Sequence, residues 1–178
     1  MRSLQLVLRS LWDFQDDSMM IPWNRNCKRD LIWWTQDDRL RQGTSLEVIL
    51  PDLSLWSDAS DTGWGAHLGE KVASGLWGES EAKQSINWRE LRAVHLALVS
   101  FTEELTGSSV ALFVDNSTAV SYLKNQGGTF SRSLNAEAQT ILRLAEKFQI
   151  VLLPQFILGS TNVVADALSS SDQIIGLE

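Results

Sequence analysis

The chain has 178 residues, of which 44% are hydrophobic and 21% charged, and its net charge is -7 at neutral pH; this mixture suits a folded domain with at most a modest extension and excludes disordered and collagen-like classes. Its single cysteine, Cys27, has no partner for an internal disulfide and no cysteine or histidine cluster beside it, so disulfide scaffolds and structural zinc are excluded and a reducing compartment, cytoplasmic or nuclear, is expected. The acidic balance argues against holding nucleic acid by a basic face alone, whereas acidic residues that bind divalent cations reverse the local field where phosphate approaches.

The opening MRSLQLVLRSLWDF is broken at Arg9 and lacks a small-residue cleavage site, so it reads poorly as a signal peptide, and no apolar stretch is long enough to cross a bilayer. Residues 1–50 are rich in charge and tryptophan (Trp12, Trp23, Trp33, Trp34) and carry helical fragments such as CKRDLIWWTQ. The composition changes near Pro51, and 1–50 is expected to be an extension that packs on a main domain over 51–178. From Leu53 the punctuation becomes regular. LSLWSDA reads as a mostly buried strand ending in the turn-forming run Ser60-Asp61-Thr62-Gly63, and WGAHLG and VASGLWG suit two antiparallel strands around Gly69-Glu70-Lys71. Asn87 is expected to cap a helix through WRELRAVHLALVSFTEEL, with Leu91, Val94, Leu98 and Phe101 along one face. VALFVD is of strand length, NSTAVSYLKNQGG is a helix capped by Asn116 and stopped at Gly127-Gly128, and SRSLNAEAQTILRLAEKFQ is a further amphipathic helix. IVLLPQFIL reads as a last strand and TNVVADALSS as a final short helix capped by Thr161 or Asn162. The order predicts an α/β fold with a five-stranded mixed sheet flanked by helices, the first three strands meandering and the later ones joined by crossovers.

Four acidic residues stand where an acid is costly. Asp58 follows the apolar LSLW, Asp115 ends the apolar ALFV, Asp166 sits within VVADAL, and Glu90 precedes the core position Leu91. Carboxylates in such settings must be paired, hydrogen-bonded or metal-bound. Each alone reads equally as a turn former, helix cap or solvated residue. In an open α/β sheet, however, strands ending side by side deliver such residues to one crevice.

LWSDASDTGWGAHLG, INWRELRAVHLAL, FVDNSTAVSYLKNQGG and ILGSTNVVADALS together resemble the four acidic motifs of the ribonuclease H domain that follows reverse transcriptase in retroelements, with the nearest similarity to the DIRS-like, tyrosine-recombinase-encoding group. The resemblance covers Leu53 to Ser169, and the segment before Pro51 resembles the connection between polymerase and ribonuclease H. It implies a ribonuclease H-like fold and a metal-dependent endonuclease cutting the RNA strand of RNA–DNA hybrids. Asp58 would bridge two Mg²⁺ ions, with Mn²⁺ as substitute; Asp166 would complete one site, and Glu90 with Asp115 the other. By the same resemblance, the ions activate a water and stabilise the leaving 3' oxygen during in-line attack. Ser60, Asn116 and Asn162 resemble polar positions near the substrate groove, and Trp64, beside two glycines, is expected to stack on substrate. The implied partners are an RNA–DNA hybrid and a reverse transcriptase polymerase domain, with no membrane. His67 and His95 read as packed or surface residues and receive no catalytic role.

The chain departs from the family in two places. Phe156-Ile157-Leu158-Gly159 stands where the family carries His-Ile-Pro-Gly, whose histidine assists proton transfer or product release, and Leu168-Ser169-Ser170 replaces Leu-Ser-Arg. There is no Tyr-x-Asp-Asp pair for polymerisation and no Gly-x-Ser-x-Gly elbow for covalent hydrolysis. An alternative from a different class therefore accompanies the nuclease: a non-catalytic, domesticated ribonuclease H-like remnant serving as a nucleic-acid or protein binding module.

Overall fold

A computed structural model describes residues 2–11, 18, 20, 23–36, 48–128 and 130–170. The chain divides into two compact units, residues 1–48 with 128–132, and residues 49–127 with 133–178. In the first, helices α1 (Arg2–Leu11) and α2 (Arg25–Trp34) form. The α2 start is fixed by Asn24, whose side-chain oxygen accepts from the backbone N–H groups of Asn26 and Cys27, two of the donors that a helix start leaves without partners. Trp12 lies outside the described residues, as does the end of the chain after Ser170. No described helix is long and apolar enough to cross a membrane.

The second unit is built on five strands: β1 (Leu53–Ala59), β2 (Gly63–Leu68), β3 (Lys71–Leu76), β4 (Ser109–Val114) and β5 (Val151–Phe156). They lie in the order β3-β2-β1-β4-β5. The β1–β2 and β2–β3 pairs are antiparallel, and β1–β4 and β4–β5 are parallel. The mixed sheet follows from the connections: short turns such as the one at Gly69, whose φ is +59°, permit only antiparallel neighbours, whereas β4 and β5 are each reached through helices.

Between β3 and β4 lie α3 (Glu79–Ala82), α4 (Ile86–Ser100) and α5 (Thr102–Leu105). After β4 come α6 (Ser117–Lys124) and α7 (Arg132–Lys147), and after β5 comes α8 (Val163–Ser169). The apolar faces of the longer helices and of the sheet meet in one core through Leu55, Leu91, Leu98, Leu112, Val114 and Ile141, all fully buried. Along β1 the strand alternation puts Leu55, Ser57 and Ala59 on one face and Trp56 and Asp58 on the other.

Helix ends differ in detail from the sequence expectation. The α4 cap is Ser85, whose side chain accepts from the Trp88 N–H, because the chain turns two residues before Asn87. Asn87 is thereby left inside the first turn, where its side-chain oxygen accepts from Asn116 Nδ2. Asn116 caps α6 as expected, accepting from the Ala119 N–H. Asn162 occupies the cap position of α8 but makes no side-chain cap bond, since its amide is drawn into the sheet. The short α3, with Gly78 at its start, was not anticipated from the pattern.

Helix α8 lies against the β1–β2 hairpin through a close backbone approach. A Cβ on Gly65 would stand 2.5 Å from the Ala165 carbonyl oxygen, 2.5 Å from Leu168 Cβ and 2.6 Å from the Ser169 nitrogen. None of these atoms is the movable end of a long side chain. Gly65→Ala is expected to push α8 off the sheet and lower stability by about 1–3 kcal/mol, read as a drop of several degrees in Tm by thermal denaturation. An unchanged Tm would show that the approach is not tight in solution.

Candidate metal centre

Asp58 is the sixth residue of the central strand β1, and Asp115 directly follows β4. The parallel register pairs Trp56 with Phe113. Two residues further on, both chains therefore bring a carboxylate to the same side of the same sheet end. Glu90 comes from α4, where it is flanked by buried Arg89 and Leu91. One carboxylate oxygen from each of Asp58, Glu90 and Asp115 lies within 4.8 Å of the other two.

Asp166 belongs to the first turns of α8 and is exposed. It stands outside that tight triad, but close enough that its charge raises the pKa of both Asp58 and Asp115. Three of the four acids expected at the site thus converge closely, and the fourth, exposed, acts on two of them through its charge.

The environment disfavours charge. Burial, with the charges of Asp115 and Asp166, raises the Asp58 carboxyl above its ordinary range, against hydrogen bonds from Ser169 and Asn162. Burial and the charge of Asp166 raise Asp115. Glu90 is only 4% exposed, and burial followed by the charges of Asp58 and Asp115 pushes it up to about 9, with neighbouring Arg89 opposing. Its Oε2 is buried and has no hydrogen-bond partner among the described residues. An orphaned acceptor of this kind is costly in a folded interior. A divalent cation would satisfy it and neutralise the repelling carboxylates together, and an all-oxygen donor set suits Mg²⁺ or Mn²⁺ rather than zinc.

Around the acids, the turn after β1 is held from several sides. The Ser60 carbonyl accepts from Trp77 Nε1 and from Arg89 Nη1, both at 3.0 Å, and Arg89 Nη2 donates to Asp61. Arg89, unnoticed in the sequence, therefore links the helix that carries Glu90 to the strand end that carries Asp58. No local pattern distinguishes it from a surface helix residue.

The residues expected to touch substrate are placed differently from one another. Trp64 is 8% exposed, and its indole lies where a Cβ on Gly75 would be, 2.7 Å from Nε1. The register pairs Trp64 with Gly75, so the glycine supplies the space for the ring and Trp64 is a core residue with no free face for stacking. The Ser60 hydroxyl is engaged within its turn and with the Ser169 carbonyl. Asn116 spans α6 and Asn87. Asn162 is 1% exposed, donating to the Ser57 carbonyl and to Asp58 Oδ1. Of the histidines, His67 stacks on Trp56, and His95 Nδ1 lies 2.9 Å from Glu137 Oε1 beside Arg92. Phe156, in the position of the family's loop histidine, is 50% exposed at the end of β5.

No family model matches the chain, and no curated protein matches it. Solved structures do. Ribonuclease H1 from the archaeon Halobacterium salinarum superposes with a TM-score of 0.55 at 20% identity, over 65% of this chain and 92% of that one. The N-terminal ribonuclease H domain of a Mycobacterium tuberculosis protein gives 0.54 at 17% identity, over 65% and 94%. A ribonuclease H1 of compost origin, solved in complex with an RNA/DNA hybrid, gives 0.54 at 18% identity, over 66% and 93%. The chain therefore has the ribonuclease H-like fold.

The raised carboxyl of Glu90 sets the sign of a pH dependence. Between its ordinary 4.5 and about 9 the unfolded chain binds fewer protons than the folded one, so in chelator this group's contribution to stability is complete below the lower value and is lost as pH rises through the upper. Tm in EDTA is expected to fall across that window, Glu90→Gln to flatten the fall, and millimolar Mg²⁺ to raise Tm at the alkaline end. A Tm independent of both pH and Mg²⁺ would contradict the burial of a repelling acid cluster.

Proposed function

We propose that this chain is a metal-dependent endonuclease that hydrolyses the RNA strand of RNA–DNA hybrids. The observation that carries the reading is the convergence of Asp58, Glu90 and Asp115 within 4.8 Å, with the buried Glu90 Oε2 left without a partner among the described residues. A structural carboxylate cluster would be expected to close on itself through arginine, lysine or backbone donors. Here Arg89, whose charge acts on Glu90, directs its Nη donors to the Ser60 carbonyl and Asp61 instead.

Asp58, Glu90, Asp115 and Asp166 are the residues that would hold two Mg²⁺ ions, or Mn²⁺ in their place. Bound there, the ions would supply an activated water and a counter-charge for the leaving 3' oxygen. The chain's own part is orientation. Strand ends β1 and β4 fix Asp58 and Asp115 side by side, α4 brings Glu90 over them, and the exposed Asp166 on α8 stands where an incoming phosphate meets the centre. Burial of Glu90 excludes water from one side of the cluster. The hybrid as substrate, a place beside a reverse transcriptase polymerase domain, and the DIRS-like origin are supported by the four sequence motifs.

The non-catalytic binding module is favoured by one observation: the exposed Phe156 stands where a proton-carrying histidine is expected, and His67 and His95 are engaged elsewhere. Two substitutions separate the readings. Asp115→Asn keeps shape while removing a metal-holding charge, and cleavage of a labelled RNA–DNA hybrid in Mg²⁺ is expected to fall by about a thousandfold or more, with the fold retained by circular dichroism. Phe156→His adds a group that titrates near neutral pH, and a gain of roughly tenfold to a hundredfold is expected. A parent chain that cleaves nothing, a Phe156→His variant equally inert, and an Asp115→Asn variant that binds hybrid as well as the parent would together establish the binding module.

A further inference from the structure

Both oxygens of Asp58 receive a donor from α8 and its cap residue. Asn162 Nδ2 lies 3.3 Å from Oδ1, and Ser169 Oγ lies 2.6 Å from Oδ2. Residues 162, 166 and 169 stand four and three apart, the spacing of side chains that share a helix face. Asp166 thus lies in the chain between two residues that hold Asp58. The Ser169 hydroxyl also lies 2.9 Å from the Asp166 carbonyl oxygen, the local bond that a serine near a helix end commonly makes. It has a single proton to give. The 2.6 Å contact to the carboxylate falls in the range of charge-assisted O–H···O⁻ bonds, about twice as strong as neutral ones, so the Ser169 hydroxyl donates to Asp58 Oδ2.

Each carboxylate oxygen has two lone-pair sites. One donor on each oxygen leaves one site free on each, and the rotation of the group about its Cβ–Cγ bond is no longer free. Ser169 is 1% exposed, so no bulk water can replace its hydroxyl if it is removed. The 3.3 Å bond from Asn162 is the weaker restraint, and that amide is shared with the Ser57 carbonyl at 3.2 Å. The orientation of the central acid therefore depends chiefly on Ser169.

We propose that Ser169 is a positioning residue of the metal centre, its hydroxyl turning Asp58 so that the remaining lone pairs face the cluster formed with Glu90 and Asp115. This rests on the reading of that cluster as a cation site. It also makes α8 a two-part element: the helix that carries the exposed Asp166 also aligns the acid on the central strand. The close approach at Gly65 holds the Ser169 backbone at the distance this requires.

The test is Mn²⁺ binding by the full chain, followed by the electron paramagnetic resonance signal of free Mn²⁺, with Tm recorded in EDTA for every variant. Relative to the parent, Ser169→Ala is expected to weaken Mn²⁺ binding by about tenfold, as loss of a bond that orients a metal ligand typically does, while Tm in EDTA moves little. Ser169→Thr restores a hydroxyl and is expected to recover affinity to within about threefold of the parent, even where its extra methyl lowers Tm. Parent-like affinity in Ser169→Ala overturns the proposal, as does a loss in both variants that merely tracks Tm. A parent chain that binds no Mn²⁺ at millimolar concentration overturns the cation-site reading itself, and the same titration tells the two failures apart.

Discussion

Like charges held at the separation of Asp58, Glu90 and Asp115 repel strongly in a buried setting, and desolvation adds to the cost. The rest of the second unit can be understood as the frame that holds these groups together against that force. Two of the acids are fixed by neighbouring parallel strands, whose register cannot slip without turning every alternate side chain to the other face. The third is fixed by a helix whose apolar side is locked in the core through Leu91, Val94 and Leu98. The frame keeps its cluster only because backbone and core, rather than the acids themselves, determine where the acids stand.

Small residues make the frame tight enough. Gly65 admits the backbone of α8, and Gly75 admits the indole of Trp64. In each case the missing Cβ is filled by another part of the chain, so the glycines serve close approach rather than an unusual backbone angle. The turn after β1 is bound to α4 through Arg89 and to Trp77 through the same Ser60 carbonyl. Strand end, helix and turn then move as one piece, the kind of rigidity on which a metal-ligand geometry depends.

On the proposed reading, charge distribution has to account for how an acidic chain would meet a polyanion. The net charge of -7 would repel nucleic acid at long range. Several of the acids are gathered at the carboxylate cluster, where bound divalent cations would reverse the local field that a phosphate meets. Phe156, Leu158, Val163 and Val164 are exposed on the last described strand and helix, alongside the exposed Asp166.

Much of this was legible from residues in order. Alternation and turn chemistry marked β2 and β3, apolar runs of strand length marked β1, β4 and β5, apolar periodicity marked α4 and α7, and cap and stop residues marked α6 and α8. Acids placed directly after apolar runs marked Asp58 and Asp115, because such positions are costly for a charge without a partner. Other features depended on what lies across the fold. Trp64 reads as exposed between two glycines, yet the glycine that decides its place is Gly75 on the next strand. Asn162 reads as a helix cap, yet the sheet beneath α8 takes its amide. Arg89 and Ser169 look like ordinary helix residues because their partners are 29 and 111 positions away in the chain. Local patterns determined which elements form and which acids are out of place; only the tertiary packing decided which donors reach them, because a hydrogen bond of 2.6 Å depends on distances that no spacing along the chain encodes.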